Sequence, residues 1–219
     1  MARTRETPGE AQRGDRLVSP LVLASASPRR AEVLKSAGFS FEIVPSSVDE
    51  AVALTSGKPG SAAVALAAAK AQAVAAARRE SIVLGADTVV VFEGEALGKP
   101  ADAAGAAQML RRLRGREHTV ITGVAVAWRG LLRTGQQSTV VVFRSYSDHE
   151  LDSYVSSGAP LDKAGAYGIQ NRPFLPAAGY DGCYLNVVGL PLCLAGRLLQ
   201  EVGAIRAGQT TPDCPGHRS

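Results

Sequence analysis

The ten residues from Leu21 to Arg30, LVLASASPRR, contain a short apolar strand, a turn of small and hydroxyl residues, and the start of a helix. Ser27 is a favourable N-cap, and Pro28 suits the first helical position because its missing N–H is not needed there. Arg29 and Arg30 then place positive charge at the helix N-terminus, which the helix dipole disfavours by roughly 0.3–1 kcal/mol. A bound anion reverses this cost, because the free backbone amides and both guanidiniums attract it. The segment therefore predicts a phosphate-binding site.

Two acidic positions are candidates for the chemistry at such a site. Asp87 is the only charge between Glu80 and Glu93 and lies in an apolar stretch, where a carboxylate is costly unless it is paired, hydrogen-bonded or bound to metal. It either satisfies the amides of a turn or has a functional role, and the two interpretations are about equal. Glu50, preceded by Asp49, could hold a divalent cation through hard oxygen ligands, although a solvated loop is the simpler interpretation.

Two lysines have a comparable choice of roles. Lys70 is the only charge between Lys58 and Arg78 in an alanine-rich helical stretch. It either extends along an apolar face to reach water or points into a cleft. Lys99, in the sequence LGKP, is either an exposed turn residue or a group that neutralises phosphate. The Walker A pattern is absent, so any phosphate binding here follows another design.

A glycine-rich segment, DKAGAYGIQ at 162–170, completes the set of candidates. Glycines let the backbone approach a ligand closely, and the amide of Gln170 can read a base edge through a paired donor and acceptor. Basic residues from several segments, together with isolated carboxylates, suit attack on a nucleoside polyphosphate: cations hold the phosphates, carboxylates hold a metal, and a base activates water. The three cysteines, Cys183, Cys193 and Cys214, lack the sequence spacing of metal ligands, and their odd number favours a reducing, cytoplasmic setting.

The pattern of apolar residues predicts an α/β fold, with parallel and antiparallel pairing in one sheet. Residues 158–181 are rich in glycine and proline and predict a functional loop region. Strands are predicted at 21–23, 41–44, 118–128 and 137–146, and at 81–92 with an interruption at 85–88. Helices are predicted from Pro28 to before Gly38, over 61–77, from Asp102 to near Gly115, after a capping box at 147–150, and over 191–202.

Composition limits the classes of function. The formal charge is +4, of which the two polar tails carry one positive charge each, so the remaining charge of about +2 does not suit an extended nucleic-acid surface. No uninterrupted apolar run of about 18 residues is present, so no membrane span is expected. We predict a disordered tail at 1–17, one domain at 18–204 and a second disordered tail at 205–219. A homodimer is left open.

Six motifs, in order and spacing, resemble those of the Maf family: SASPRR at 25–30, VDE at 48–50, GADT at 85–88, GKP at 98–100, DKAGAYGIQ at 162–170 and NVVGLPL at 186–192. The resemblance covers roughly residues 20–203. It implies an elongated, two-lobed α/β fold similar to inosine triphosphatase, with a cleft between the lobes. It also implies a nucleoside triphosphate pyrophosphatase that depends on a divalent cation, Mg²⁺ or Mn²⁺.

The same resemblance implies roles for individual residues. Asp87 would accept the proton of the attacking water, and Glu50 would join it in holding the metal. The residues implied around the phosphates are the turn-forming Ser25 and the cations Arg30, Lys70 and Lys99. At the three positions that distinguish substrates within the family, Arg29, Thr88 and Gln170 match the branch that acts on dTTP and UTP, whereas the branch acting on 7-methyl-GTP differs there.

The sequence therefore predicts a cytoplasmic hydrolase that converts dTTP, UTP and related or modified pyrimidine nucleotides to the monophosphate and pyrophosphate. The alternative is a nucleotide-binding regulator of cell division that needs no turnover. A pure binder has no need for both Asp87 and Glu50 beside the phosphates, so the enzyme is favoured. Neither a nucleic-acid polymer nor a membrane is an expected partner.

Overall fold

The computed structural model of the protein describes residues 16–48, 58–210 and 214. Their strands are β1 (Leu21–Leu23), β2 (Phe41–Ile43), β3 (Ile82–Phe92), β4 (Glu95–Leu97), β5 (Glu117–Trp128), β6 (Leu131–Phe143) and β7 (Ala177–Asp181). Their α-helices are α1 (Pro28–Ser36), α2 (Pro59–Ala77), α3 (Ala103–Leu113), α4 (Asp148–Ser156), α5 (Tyr184–Val188) and α6 (Leu192–Glu201), with a short 3₁₀ helix at Ala164–Ala166.

Within the described residues, all seven strands belong to one mixed sheet, which confirms the predicted α/β class. The strand order is β2-β1-β3-β5-β6-β7, and β4 pairs with β3 outside this path. β1 runs parallel to both β2 and β3, whereas β3, β5, β6 and β7 pair antiparallel in turn. The first three residues of β3 pair with β1 and its last three pair with β4. The residues of β3 between these two partners, which include Asp87 and Thr88, face a gap in the sheet edge.

The long strands β3 and β5 pass through two hydrophobic cores. One core surrounds Leu84 and Val126 and is closed by α1 and α6. The other surrounds Val90 and Val120 and is closed by α3 and α4, with Phe143 at its centre. Continuous backbone pairing between β3 and β5 joins the two cores, so the region between them is held by the sheet itself.

Helix α2 packs unusually close to the sheet, and two glycines permit this approach. A Cβ at Gly85 would lie 2.4 Å from the carbonyl oxygen of Ala67, and one at Gly123 would lie 2.4 Å from that of Ala63. Alanines four residues apart on α2 form the matching face, because positions i and i+4 lie on the same side of a helix. The contact brings Lys70, on the same helix, against the middle of β3.

Most predicted elements are confirmed with shifts of a few residues at their ends. Ser147 and Glu150 form the expected capping box at α4, and Asp102 accepts a hydrogen bond from the amide of Gly105 at the start of α3. Two expectations were wrong. β3 runs without interruption through 85–88, because Gly85 serves helix packing rather than a turn. The predicted loop region contains β7, which pairs with β6.

The segments beyond the predicted domain bounds make contacts where the structure describes them. Leu17 and Ile205 form an isolated bridge, and Nε of Arg206 donates to the carbonyl oxygen of Leu17 at 2.7 Å. Cys214 is buried in the first core. The remaining tail residues, 1–15, 211–213 and 215–219, lie outside the described residues, so their predicted disorder stays a prediction.

One described helix, α2, is long and apolar enough to cross a membrane by length and composition, with a mean hydropathy of 1.3. The sequence analysis found no such segment because it counted only uninterrupted apolar runs, and α2 passes by mean hydropathy although it contains Lys70. The buried face of α2, which includes Leu66, Ala67 and Ala71, packs on β3 and β5, as expected of the core helix of a globular domain.

Candidate active site

A cleft of about 690 Å³ opens beside the middle of β3. The turn between β1 and α1, the end of β4, the 162–170 segment and the end of α5 form its walls. Eight residues predicted for the site line it together: Ser25, Arg29, Arg30, Lys70, Asp87, Thr88, Lys99 and Gln170. The ninth, Glu50, lies outside the described residues. The tertiary structure thus places side chains that are up to 145 positions apart in the sequence around one space.

The guanidinium of Arg30 is buried and held by three segments of the chain. Its Nε donates to the carbonyl oxygen of Gly189 at 2.9 Å, and its Nη1 donates to Oγ of Ser25 at 2.9 Å. Its Nη2 donates to Oγ1 of Thr88 at 3.1 Å. The planar guanidinium fixes all three directions at once, so α1, β3 and the end of α5 are held in one arrangement at the wall of the cleft.

Thr88 continues this network into the sheet. The hydroxyl of Thr122 donates to the carbonyl oxygen of Asn186 at 2.9 Å, so the 3.0 Å contact between the two threonine hydroxyls has Thr88 as donor. The hydrogen bonds therefore all run in one direction. Arg30 donates to Thr88, Thr88 donates to Thr122, and Thr122 donates to the backbone carbonyl oxygen of Asn186. This order leaves the hydroxyl of Thr88 satisfied as both donor and acceptor.

The buried side chain of Asn186 fixes the end of this network. Its Oδ1 accepts from the amide of Thr122 at 3.1 Å, and its Nδ2 donates to the carbonyl oxygen of Val120 and to Oγ1 of Thr139, both at 2.9 Å. Asn186, Thr122 and Gly189 were not among the predicted site residues. The motif NVVGLPL was the available signal for two of them, but pairing with a β5 threonine cannot be read from the sequence.

Lys70 and Asp87 form an ion pair inside the cleft. Nζ of Lys70 lies 2.8 Å from Oδ1 of Asp87, and the side chains are only 6% and 14% exposed, respectively. The lysine therefore does not reach out to solvent, and the carboxylate lies within a strand rather than in a turn. Because an unpaired buried charge is costly, each side chain stabilises the other in its position.

A second ion pair joins α1 to the glycine-rich segment at the mouth of the cleft. Nη1 of Arg29 lies 3.0 Å from Oδ2 of Asp162, and Nζ of Lys163 contacts Oδ1 of the same carboxylate. Burial opposes ionisation of Asp162, but hydrogen bonds from Lys163 and Arg29 outweigh it and lower the pKa of this carboxyl. The amide of Gly165 donates to the carbonyl oxygen of Gly98 at 3.0 Å, which ties the same segment to the turn that carries Lys99.

The oxygen ligands at the cleft suit a hard cation. Mg²⁺ binds through about one or two carboxylates plus substrate phosphates and retains several waters. Asp87 offers one carboxylate at the cleft, and Glu50, the second predicted ligand, lies outside the described residues. Three cysteines also come together, away from the cleft: Cys183, Cys193 and Cys214.

Comparison with known proteins identifies the family. Residues 20–202 match the family described as Maf-like protein. The chain is 53% identical over 188 residues to the dTTP/UTP pyrophosphatase of Moorella thermoacetica, covering 85% of this chain and 96% of that protein. It is 46% identical over 187 residues to that of Pelotomaculum thermopropionicum, with 84% and 96% covered, and 49% identical over 184 residues to that of Thermomicrobium roseum, with 84% of each covered.

Two solved structures are more distant. The Ham1 protein of Staphylococcus aureus aligns with a TM-score of 0.39 and 15% identity, over 57% of this chain and 71% of that chain. A nucleoside-triphosphatase, dITP/XTP pyrophosphatase, of Mycobacterium abscessus aligns with a TM-score of 0.37 and 16% identity, over 57% and 74%. The assignment rests on the sequence matches, which span nearly the whole domain at high identity. The chain belongs to the Maf-like protein family.

Proposed function

We propose that this protein is a nucleoside triphosphate pyrophosphatase that hydrolyses dTTP and UTP to the monophosphate and pyrophosphate. The observation that carries the proposal is the buried Lys70–Asp87 pair within a cleft that the Arg30 network also lines. A volume of about 690 Å³ falls within the range of roughly 300–1,000 Å³ common for ligand pockets. The relatives named dTTP/UTP pyrophosphatase support the same reaction and substrates.

In the proposed mechanism, Asp87 acts as the general base. Its carboxylate takes a proton from the water that attacks the α-phosphorus, and the bond from that phosphorus to the bridging oxygen breaks to release pyrophosphate. Lys70 holds the carboxylate in place and supplies its counter-charge. Positive charge that is already fixed in place stabilises the negative charge developing on the phosphate oxygens, and loss of one such contact costs about 10²-fold or more in rate.

The phosphates are proposed to lie along the cationic wall formed by Arg30 and Lys99, with Ser25 in the turn beside them. Arg30 is already oriented by Ser25, Thr88 and Gly189 before substrate arrives, so little side-chain entropy is lost on binding. A divalent cation, Mg²⁺ or Mn²⁺, held by Asp87 and Glu50, would neutralise phosphate charge and help to orient the triphosphate.

Base selection is proposed to involve Arg29, Thr88 and Gln170, all of which line the cleft. The carboxamide of Gln170 offers both a donor and an acceptor, which a pyrimidine edge can satisfy. Arg29 is fixed by Asp162 at the mouth of the cleft, where it can restrict the size and position of the base. We extend the proposed substrates to modified pyrimidine nucleotides and place the enzyme in the cytoplasm.

The proposal is tested by measuring pyrophosphate release from a panel of nucleoside triphosphates with Mg²⁺, with Mn²⁺ or with EDTA. We expect release from dTTP and UTP that EDTA stops. Release mainly from modified guanine nucleotides would keep the reaction and contradict the proposed specificity. Tight nucleotide binding without release under any metal would contradict the enzyme and favour a regulatory binding protein.

A further inference from the structure

The chain's three cysteines, Cys183, Cys193 and Cys214, meet at a point that the proposed reaction does not use. All three sulfur atoms lie within 4.8 Å of one another, although the residues come from three separate segments. Cys183 directly precedes α5, Cys193 is the second residue of α6, and Cys214 belongs to the C-terminal segment. The convergence requires the chain to return to the start of α5 more than ten residues after α6 has ended.

The simplest alternative is that these thiols act as small apolar side chains. Cys183 and Cys214 are buried in the first core, which fits that description. However, the backbone amide of Cys193 donates to Sγ of Cys214 at 3.2 Å. This N–H donor gives the sulfur of Cys214 a polar partner, which core packing alone does not require.

The cluster also changes the ionisation of its own members. Hydrogen bonds from the thiols of Cys193 and Cys214, with further contributions from the amides of Asn186 and Leu185, lower the pKa of Cys183. In the reverse direction, the same contacts raise the pKa of Cys214. Soft thiolate ligands suit ions such as Zn²⁺, and the three sulfurs already lie close enough together to face a single ion.

The spacing of the sulfurs is closer to that of a metal site than to that of a disulfide. Zinc–sulfur bonds of about 2.3 Å in a tetrahedral site place the sulfurs about 3.8 Å apart. Contraction from the observed spacing, at most 4.8 Å, to that value needs about 1 Å or less. A disulfide would need two sulfurs to approach to about 2.05 Å and would leave the third thiol without a role.

We propose that Cys183, Cys193 and Cys214 form a structural site for a thiophilic d¹⁰ metal ion such as Zn²⁺. Binding deprotonates the thiols, the protons pass to solvent, and three metal–sulfur bonds form, with water in the fourth position. The site holds the C-terminal segment against the start of α5 and of α6. Because Asn186 and Gly189 lie between these two starts, the metal secures the same backbone that positions Thr122 and Arg30.

The test uses the full chain, stripped of metal by a chelator under reducing conditions and then titrated with Co²⁺ and with Zn²⁺. We expect one Co²⁺ per chain, with a thiolate-to-cobalt charge-transfer band, displacement of that band by Zn²⁺, and loss of reactive thiols when Zn²⁺ is bound. Cys214→Ser should remove the band and weaken Zn²⁺ binding at least ~10²-fold, since even the loss of a group that supports a ligand costs about 10–100-fold in affinity.

Two controls separate this site from the cleft and from a folding defect. Asp87→Asn removes the cleft carboxylate but should keep the charge-transfer band, so failure of the proposed catalytic site and failure of the thiol site are distinguishable. Cys183 and Cys214 are buried in the core, so their substitution can disturb packing, whereas Cys193 is only partly buried and Cys193→Ser is the variant least exposed to that objection. Bound zinc should also raise Tm in the wild type and not in Cys214→Ser.

Three results would overturn the proposal. The first is the absence of a thiolate-to-cobalt band at stoichiometric Co²⁺. The second is a band of equal intensity in the wild type, Cys193→Ser and Cys214→Ser. The third is a mass decrease of about two hydrogens, with no bound metal, in protein purified without reductant, reversed by reduction, which would identify a disulfide pair instead.

Discussion

Nζ of Lys70 and Oδ1 of Asp87 lie 2.8 Å apart, joining the buried face of α2 to the middle of β3 at the base of the cleft. The pairing depends on how closely α2 packs on the sheet, which Gly85 and Gly123 permit. A helix held further away would break this ion pair. The position of Asp87, the proposed base, therefore depends on two glycines that let α2 approach. Gly85 lies two residues before Asp87 on β3, and Gly123 pairs with Asp87 from β5.

The first prediction separates the catalytic and structural roles of this pair. Asp87→Asn should lower pyrophosphate release from dTTP by ~10²-fold or more, because an amide cannot accept the proton from water. It should also lower Tm, because the substitution breaks a buried ion pair by removing the charge of one partner. Lys70→Met combined with Asp87→Asn should recover much of the Tm but none of the activity. Rates and thermal melts of the two variants provide the check, and wild-type turnover in Asp87→Asn would remove Asp87 from the mechanism.

The second prediction concerns the hydroxyl of Thr88. Thr88→Val keeps the shape but removes both the acceptor for Arg30 and the donor to Thr122, so kcat/KM for dTTP should fall about 10-fold or more, in line with a cost of roughly 1–3 kcal/mol for polar groups left unsatisfied. Thr88→Ser retains the hydroxyl and should stay within about 3-fold of the wild type, since a methyl group is all it loses. Steady-state kinetics of the two variants test this, and equal losses would show that the methyl group matters rather than the network.

The third prediction concerns selection of the base. If Gln170 reads the pyrimidine edge, Gln170→Ala should lose discrimination between dTTP and purine triphosphates more than it loses rate on dTTP. A site that hydrogen-bonds its substrate rejects mismatched groups because its own polar atoms would be left unpaired. The ratio of kcat/KM for dTTP to that for dATP and dGTP gives the measurement. Equal losses on all substrates would assign Gln170 a positioning role only.

The fourth prediction tests the close approach of α2. Gly123→Ala places a Cβ 2.4 Å from backbone atoms of Ala63, which cannot move without displacing the helix, so it should destabilise the fold by about 1–3 kcal/mol or more. Gly179→Ala, in β7, is the matched control, since its Cβ would meet nothing within 4 Å. Urea unfolding of both variants provides the comparison. Similar midpoints for the two would contradict the packing argument.

The fifth prediction is a dependence of stability on pH. Burial lowers the pKa of His118 from 6.5 to about 4, and its Nε2 contacts the hydroxyl of Tyr167 at 2.7 Å. Between pH 6.5 and 4 the unfolded chain binds a proton that the folded chain does not, so the free energy of unfolding falls as the pH is lowered through this window. The shift corresponds to at most about 3 kcal/mol.

His118→Gln keeps a group able to pair with Tyr167 and does not titrate. Its stability should therefore decline less than that of the wild type between pH 6.5 and 4. His149→Gln is the control, because His149 is exposed at the start of α4. Parallel slopes for wild type and His118→Gln in chemical unfolding across this range would contradict the assignment.

Much of this protein could be predicted from local sequence. The capping box at Ser147 is set by hydrogen bonds within a few residues, and the helix start at Pro28 suits its fixed φ angle; both are confirmed, although the side chain of Ser27 makes no capping hydrogen bond. The turn at Arg129–Gly130, with φ angles of 48° and 77°, joins β5 and β6. The family resemblance named eight residues that the structure brings to the same cleft. Their individual roles stay predictions.

The tertiary structure decided what local patterns left open. The sequence could not say whether Lys70 reached solvent or a cleft, because the answer depends on how near α2 lies to β3. The sequence analysis interpreted Gly85 as part of a turn, whereas its missing side chain lets helix α2 pack closely against β3.

The cysteines show the same limit most clearly. Their spacing along the chain lacks a metal-binding pattern, yet folding brings their three sulfur atoms within 4.8 Å of one another. Short-range hydrogen bonding and backbone geometry are encoded in neighbouring residues, so the sequence determined the elements and the chemical types at the site. Distances between segments depend on packing across the whole domain, and these distances formed the Lys70–Asp87 pair, the Arg30 network and the thiol cluster.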